Sequence, residues 1–246
     1  MSKILRWIAV AGLSVGVVSL AIAYVLGGRD LRQLWNRNAL TLQACGDGTT
    51  KTDGASERRL SWNGGDTIDI ALPATVRLRV GEGSELVVRG SPDTIRHVEL
   101  RDGRLTLNCR WLATSRDIDV ALPGRAFHRV GLSGSARVVI ENLNQPELAL
   151  SISGSGSLRG QGAVDRLSIT VAGSGKARLA EDAVKQLTVN ISGSGNVEAA
   201  PKDEADIVIS GSGNVRLASR PARLKNTIAG SGRITQPPLE AAEGKK

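Results

Sequence analysis

The sequence predicts an all-β solenoid, built from stacked coils of about 19 residues, that follows one N-terminal transmembrane helix. First, a Gly-Ser-Gly motif recurs five times after residue 150, at intervals of 18 to 20 residues. Second, apolar and polar residues alternate with period two from residue 60 onward, without helical periodicity. Third, an uncharged run of 22 residues extends from Trp7 to Gly28. A repeat of this length is short enough for one coil of a solenoid.

Residues 1–28 form the predicted membrane anchor, because the uncharged run is long enough to cross a bilayer as one helix. The alternative is a signal peptide cleaved near Ala23, after Ala-Ile-Ala at 21–23, which would release a secreted protein. The apolar run continues to Leu26, and this favours the uncleaved anchor. We therefore expect anchoring in the inner membrane, with the domain in the periplasm or outside the cell.

The segments that flank the predicted domain are polar. Residues 29–59 are predicted to form a juxtamembrane segment and a flexible linker, because 46–59 are small, polar and glycine-rich. Residues 239–246 form a charged C-terminal tail. Pro237 and Pro238 precede this tail and are expected to protect the last strand edge, since proline cannot donate to a β-ladder.

The chain has two cysteines, Cys45 and Cys109. Cys109 ends the alternating stretch RLTLNC, and this alternation turns it inward. We expect Cys109 to be a small buried hydrophobe rather than a disulfide partner. Whether Cys45 and Cys109 pair stays open from the sequence.

Residues 60–238 form the predicted domain. When its repeats are aligned on the first glycine of each motif, similar residues fall in the same columns. Two positions before that glycine stand only apolar side chains, namely Leu132, Ile152, Val171, Ile191, Ile209 and Ile228. The positions six before and four after it are also apolar, and all three columns share one parity. Each coil leaves this apolar side bare until a neighbour stacks on it. We therefore predict parallel coils over residues 131–236, with these columns inside.

The Gly-Ser-Gly motif is predicted to be the point where each coil bends. Glycine tolerates positive φ and the close approach of adjacent backbone. Stacking would place the motifs in a structural turn ladder, with the serines forming a ladder of hydroxyls, from Gly154, Ser155, Gly173, Ser174, Gly193, Ser194, Gly211, Ser212, Gly230 and Ser231. A serine nucleophile needs an adjacent base, and the two histidines, His97 and His128, lie outside the repeats. We therefore expect these serines to be structural.

The domain resembles the auto-transporter adhesin head GIN domain family of bacterial envelope proteins. The resemblance extends from LSWNGGDTIDIALPATVRLRVGEGSELVVRG through RHVELRDGRLTL and the SGSG units to ARLKNTIAGSGRITQPP. It implies a single-stranded parallel β-helix, usually exported or membrane-anchored, with no established enzymatic activity. Members of this family often have Asp directly after Gly-Ser-Gly. Here that position holds Ser157, Lys176, Asn196, Asn214 and Arg233, so we expect no metal site.

Basic residues follow the motifs in consecutive coils. Arg159, Arg178 and Arg216 stand five residues after the first glycine, and Glu198 takes that place in one coil, between two guanidinium groups. Together with Arg233, and with Arg137 and Lys176 nearby, these arginines could form a strip that binds an anionic glycan, a lipid headgroup or an acidic protein. The competing interpretation is an exposed charge ladder, in which each pair contributes at most about 1 kcal/mol.

Composition argues against several classes of function. The chain has four Trp, one Tyr and one Phe, too few for the aromatic platforms that bind single-stranded nucleic acid, although its net charge is +8. Its acidic residues are scattered rather than paired as glycoside hydrolysis requires. We expect a non-catalytic, exported, membrane-anchored envelope module with a binding, adhesive or structural role and no cofactor. The alternatives are a polysaccharide-processing enzyme on a β-helix scaffold and a self-assembling envelope scaffold.

Overall fold

The computed structural model describes residues 56–63, 65–80, 83–109, 118–124 and 126–238. The chain divides into two units, Met1–Gln43 and Ala44–Lys246, and every described residue lies in the second. The predicted anchor, most of the predicted linker, Cys45 and the tail 239–246 fall outside the described residues. Within the described ranges, no helix is long and apolar enough to span a bilayer.

The described residues form an all-β fold with one short helix. Its strands are β1 (Ser56–Ser61), β2 (Thr67–Ala71), β3 (Thr75–Val80), β4 (Glu85–Gly90), β5 (Val98–Arg101), β6 (Arg104–Leu107), β7 (Asp119–Gly124), β8 (Arg129–Gly134), β9 (Arg137–Gly154), β10 (Ser157–Gly173), β11 (Lys176–Gly193), β12 (Asn196–Gly211), β13 (Asn214–Leu217), β14 (Arg223–Gly230) and β15 (Arg233–Thr235). The helix α1 (Pro92–Ile95) is a single turn, which the sequence did not predict. It begins at a proline, whose fixed φ suits the first helical position.

The regular part of the domain is a β-helix of about five coils. Strands β9, β10, β11 and β12 each form one coil, β13 and β14 share the next, and all neighbours pair in parallel. The register aligns the first glycine of every motif, and it stacks Ile152, Val171, Ile191, Ile209 and Ile228 in one column. The first four of these side chains are at most 2% exposed. The predicted inward columns are therefore confirmed.

Each coil has two extended arms. Where one arm meets the next, the residue-by-residue pairing with the neighbouring coil shifts. The first arm follows the Gly-Ser-Gly motif, and its strand order is β1-β4-β7-β3-β9-β10-β11-β12-β13-β15. The second arm precedes the next motif, and there β8, β9, β10, β11, β12 and β14 pair in sequence. The long strands β9 to β12 contribute to both arms, so their inward side chains form one continuous core.

The Gly-Ser-Gly turn requires glycine at two positions for different reasons. The first glycine has positive φ, from +110° at Gly154 to +129° at Gly230. A Cβ on Gly173 would also lie 2.7 Å from the carbonyl oxygen of Gly154. The second glycine faces the core, where a Cβ on Gly213 would lie 2.6 Å from Cγ2 of Ile191. Both predicted roles of glycine, positive φ and close approach, are confirmed.

The serine between these glycines is exposed in every motif. Its backbone N–H continues the ladder around the turn: Ser174 N donates to Gly154 O and Ser194 N donates to Gly173 O, both at 2.9 Å. No hydrogen bond joins successive serine hydroxyls among the described residues. The turn ladder is thus held together by backbone hydrogen bonds, and the stacked serines add no hydroxyl-to-hydroxyl bond to it among the described residues.

The N-terminal part of the domain departs from the predicted all-parallel arrangement. Three pairs are antiparallel, β1 with β4, β4 with β7 and β5 with β6. The β5–β6 hairpin turns at Asp102 and Gly103, which both have positive φ, as a two-residue turn between right-handed twisted strands requires. Strand β1 begins at Ser56, within the segment predicted as linker.

Two further predictions differ in detail. Cys109 is buried, at 6% exposure, as expected, but it is disulfide-bonded rather than a simple buried hydrophobe. Ile228 lies in an inward column, yet it is 40% exposed, because no coil of the described part covers β14 from the C-terminal side.

Candidate functional site

Two outward columns cross the coils of the first arm. Inward residues such as Leu158 and Val197 alternate with outward ones, so each coil presents two outward side chains there. The register places Arg137, Ser157, Lys176, Asn196, Asn214 and Arg233 in the first column. It places Val139, Arg159, Arg178, Glu198, Arg216 and Thr235 in the second.

A groove of about 890 Å³ follows these two columns along the coil axis. We call it the basic groove, because six cationic side chains and one carboxylate line it: Arg137, Arg159, Lys176, Arg178, Arg216, Arg233 and Glu198. The six cationic residues are exposed, whereas Glu198 is partly buried. The four arginines of the predicted anionic-ligand strip therefore lie on one surface, together with two further cations.

Glu198 forms ion pairs with the arginines of both neighbouring coils. Its Oε2 lies 2.8 Å from Nε of Arg178, and its Oε1 lies 3.7 Å from Nε of Arg216. The Glu198 side chain is 23% exposed, against 58% for Arg178 and 75% for Arg216. The predicted position of Glu198 between two guanidinium groups is thus confirmed.

The other cations of the basic groove have no such partner. Arg137, Arg159, Lys176 and Arg233 form no ion pair with any carboxylate of the described residues. The predicted strip is therefore not uniform. Arg178 and Arg216 share one carboxylate at the centre, whereas Arg159 and Arg233 lie unpaired towards the two ends.

Two amide side chains occupy the centre of the first column. Asn214 Nδ2 donates to Asn196 Oδ1 at 3.3 Å, so the two amides form a short ladder across neighbouring coils. Asn196 Nδ2 lies 3.5 Å from the carbonyl oxygen of Ser194. Each amide offers two donor hydrogens and an accepting oxygen, so both keep hydrogen-bonding capacity for another molecule.

The basic groove ends where oppositely charged residues meet on the N-terminal side. Strand β3 pairs with β9 there, and it places Arg77 beside Val139 and Arg79 beside Glu141. Arg77 forms an ion pair with Asp119, and Arg79 forms one with Glu141 at 3.0 Å. Sequence reasoning missed this boundary, because it depends on β3 lying next to β9 in the sheet.

The second arm distributes its charges differently. A shallower groove of about 530 Å³ lies there, and its Arg166 forms an ion pair with Glu147 of the adjacent coil. Farther along this arm, Arg223 pairs with Glu204 at 3.1 Å and Lys225 pairs with Asp206 at 3.3 Å. Arg166, Arg223 and Lys225 thus face carboxylates one coil away, unlike the end cations of the basic groove, whereas Arg129 of the second arm forms no ion pair with a described carboxylate.

The described residues do not bring together the usual groups of a hydrolytic site. No three His, Cys, Asp or Glu side chains among them lie close enough to share a metal ion. His128 contacts Asp66 at 3.2 Å on the second arm, and neither histidine bonds to a motif serine. Within the basic groove, the one carboxylate is already bound to two arginines.

Comparisons with known proteins agree with this fold. The structure is similar to that of a putative adhesin from Bacteroides fragilis, with 12% identity and a TM-score of 0.63, over 76% of this chain and 98% of that one. It is also similar to a putative lipid binding protein from Parabacteroides distasonis, with 16% identity and a TM-score of 0.49, over 76% and 98% of the two chains. None of the curated protein sequences matched. Residues 66–237 match the family described as "Putative auto-transporter adhesin, head GIN domain". The chain belongs to this family.

Proposed function

We propose that this protein is a non-catalytic, exported binding module of the bacterial cell envelope, and that its basic groove holds anionic material. The observation that supports this most is the set of four unpaired cations, Arg137, Arg159, Lys176 and Arg233, on one surface of the first arm. Arg159 lies beside Arg178 on the neighbouring strand, and like charges about 4.8 Å apart repel one another by about 1 kcal/mol in water. An anionic ligand would relieve this repulsion.

The contrast between the two arms favours binding over a purely structural charge ladder. On the second arm, Arg166 and Arg223 face Glu147 and Glu204 on adjacent coils. The same scaffold therefore accommodates carboxylates opposite its cations. Among the described residues that line the basic groove, Glu198 is the only carboxylate, against six cations.

A non-catalytic role is favoured by the chemistry of the groove. Glycoside hydrolysis uses two carboxyl groups on either side of the scissile bond. The basic groove provides one among its described residues, and two arginines form ion pairs with it. Residues 1–28 complete the proposal as the membrane anchor that keeps the domain outside the cytoplasm, with cleavage near Ala23 as the alternative.

Binding to an anionic matrix tests this function. We expect the full chain, in detergent, to bind carboxymethyl-dextran but not neutral dextran, and to be released as salt rises, because exposed charges are screened. The double variant Arg159→Gln/Arg233→Gln should weaken this binding at least about tenfold, with little change in stability.

The matched control replaces two arginines that already have carboxylate partners on the second arm, Arg166→Gln/Arg223→Gln. It removes the same net charge from the other arm, so binding should change less than about threefold. Equal losses in the two double variants would show that net charge, and not the basic groove, governs binding.

A further inference from the structure

We infer that the ligand of the basic groove is a linear acidic polysaccharide whose charged groups are separated by uncharged sugars, and that it lies along the coil axis. This inference rests on the proposed function and specifies its ligand. Three features lead to it: the length of the groove, the order of charges along it, and the scarcity of apolar side chains that point into it.

The groove has the length of an extended chain. Arg137 and Arg233 belong to the same outward column, and five strand-to-strand steps separate them. Adjacent strands lie about 4.8 Å apart, so the two side chains originate about 24 Å from each other along the axis. A ligand that contacts both must cross the coils rather than follow one of them.

Each coil of the groove carries one or two cations except the coil of β12, which carries the carboxylate of Glu198 instead. Arg137, Arg159 and Lys176 lie on three consecutive coils at one end, and Arg233 lies at the other. Between them, Glu198 binds Arg178 and Arg216. A ligand with negative charge on either side of the β12 coil and none opposite Glu198 matches this order.

The central side chains suit hydroxyl groups. Asn196 and Asn214 adjoin Glu198 and expose amide donors and acceptors. An uncharged sugar could exchange hydrogen bonds with them. A phosphate or carboxylate at the same place would instead face the carboxylate of Glu198, and like charges in contact disfavour binding. A chain with a charge on every unit, such as polyphosphate, cannot avoid this contact in any register.

The groove also lacks a place for acyl chains. Val139 is the one apolar side chain that points outward among its described lining residues, and it is partly buried. The other apolar residues at the groove, such as Leu158 and Val215, face the core. A lipid could therefore contact the groove through its headgroup but would find no apolar surface there for its acyl chains.

Competition between four probes tests the inference on the full chain reconstituted into phosphatidylcholine vesicles, without free detergent. The probes are hyaluronan oligosaccharides, with one carboxylate per disaccharide, polyphosphate of similar length, neutral dextran, and vesicles containing phosphatidylglycerol. We expect hyaluronan to bind at least about tenfold more tightly than polyphosphate, since one avoided like-charge contact beside the partly buried carboxylate of Glu198 is worth that ratio. Dextran should not bind, and vesicles should not displace hyaluronan.

The variant Glu198→Gln tests the origin of this preference. It removes the central negative charge, so the tenfold preference over polyphosphate should fall to less than about threefold, mainly through tighter polyphosphate binding. The control Glu204→Gln removes a carboxylate that pairs with Arg223 on the second arm, and it should leave the preference unchanged.

Each outcome has a distinct meaning. Preferential binding of polyphosphate or of vesicles by the unmodified chain would overturn the inference while leaving the proposed function intact. An unchanged preference in Glu198→Gln would also overturn it. No salt-dependent binding to any of the anionic probes would refute the proposed function itself.

Discussion

Replacing Ile191 by Asp tests the inward register of the coils most directly. Ile191 is 2% exposed, and it stacks between Val171 and Ile209 of the neighbouring coils. The isoleucine contributes about 2 kcal/mol by burial of its side chain. An Asp there would have to remain protonated at pH 7, about 3 units above its ordinary pKa, which costs about 4 kcal/mol more. We therefore expect the free energy of unfolding to fall by roughly 6 kcal/mol, much of a typical total stability.

The same column contains its own comparison. Ile228 of the last coil is 40% exposed, so a carboxylate there stays hydrated, and Ile228→Asp should cost about 1 kcal/mol. Asn190, next to Ile191 in the chain, points outward, so Asn190→Asp should change stability by less than about 0.5 kcal/mol.

Urea unfolding of the full chain, followed by circular dichroism, measures these differences. Burial raises the folded-state pKa of the introduced Asp above its unfolded value. The folded state therefore retains a proton that the unfolded state releases above about pH 4, and the deficit of Ile191→Asp grows as the pH rises. Lowering the pH from 7 to 4 should recover about 4 kcal/mol relative to the unmodified chain. Equal stability of Ile191→Asp and Ile228→Asp would refute the inward assignment.

Two other predictions concern the turns and the anchor. Gly193→Ala should lower the free energy of unfolding by about 3 kcal/mol, because φ is +117° and the added Cβ would lie 2.7 Å from Gly173 O. Gly134→Ala should lower it by about 1 kcal/mol, because φ is +86° but no atom lies within 4 Å of the added Cβ. Thermal unfolding measures both. Equal costs would contradict the argument from close approach. The full-length chain should fractionate with membranes and resist carbonate extraction, because residues 7–28 are uncharged. A soluble product that begins at Tyr24 would instead indicate signal cleavage.

The coils could be predicted because two independent periodicities agree in the repeats. Alternation sets which side chains of a strand share a face, and the spacing of the glycines sets which residues stack between coils. Together they placed Ile191 over Val171 and Glu198 between two arginines, as the register shows. The basic groove follows from the same alignment, since residues that stack inside imply which residues stack outside.

The N-terminal part could not be predicted in the same way. Alternation is the same in parallel and antiparallel strands, so it does not give the direction of β4 or β7. The Asp102-Gly103 pair is a recognisable hairpin signal that marks the β5–β6 turn. The position of β3 beside β9, which ends the basic groove, has no local signal at all, because the two strands are distant in sequence. The disulfide state of Cys109 likewise depends on distance in space rather than on the local pattern.

The low identity to the structural relatives follows from what stacking requires. A coil needs apolar residues at the inward positions and glycines at the turn, and these requirements recur in every copy here. The outward positions of the first arm meet no such requirement, and they differ between coils: Ser157, Lys176, Asn196, Asn214 and Arg233 occupy one column. A structure that shares the fold at 12% identity therefore indicates the scaffold of this chain but not its ligand. Since the outward columns line the basic groove, substitutions there can change the chemistry of the groove while the inward columns keep the coils stacked.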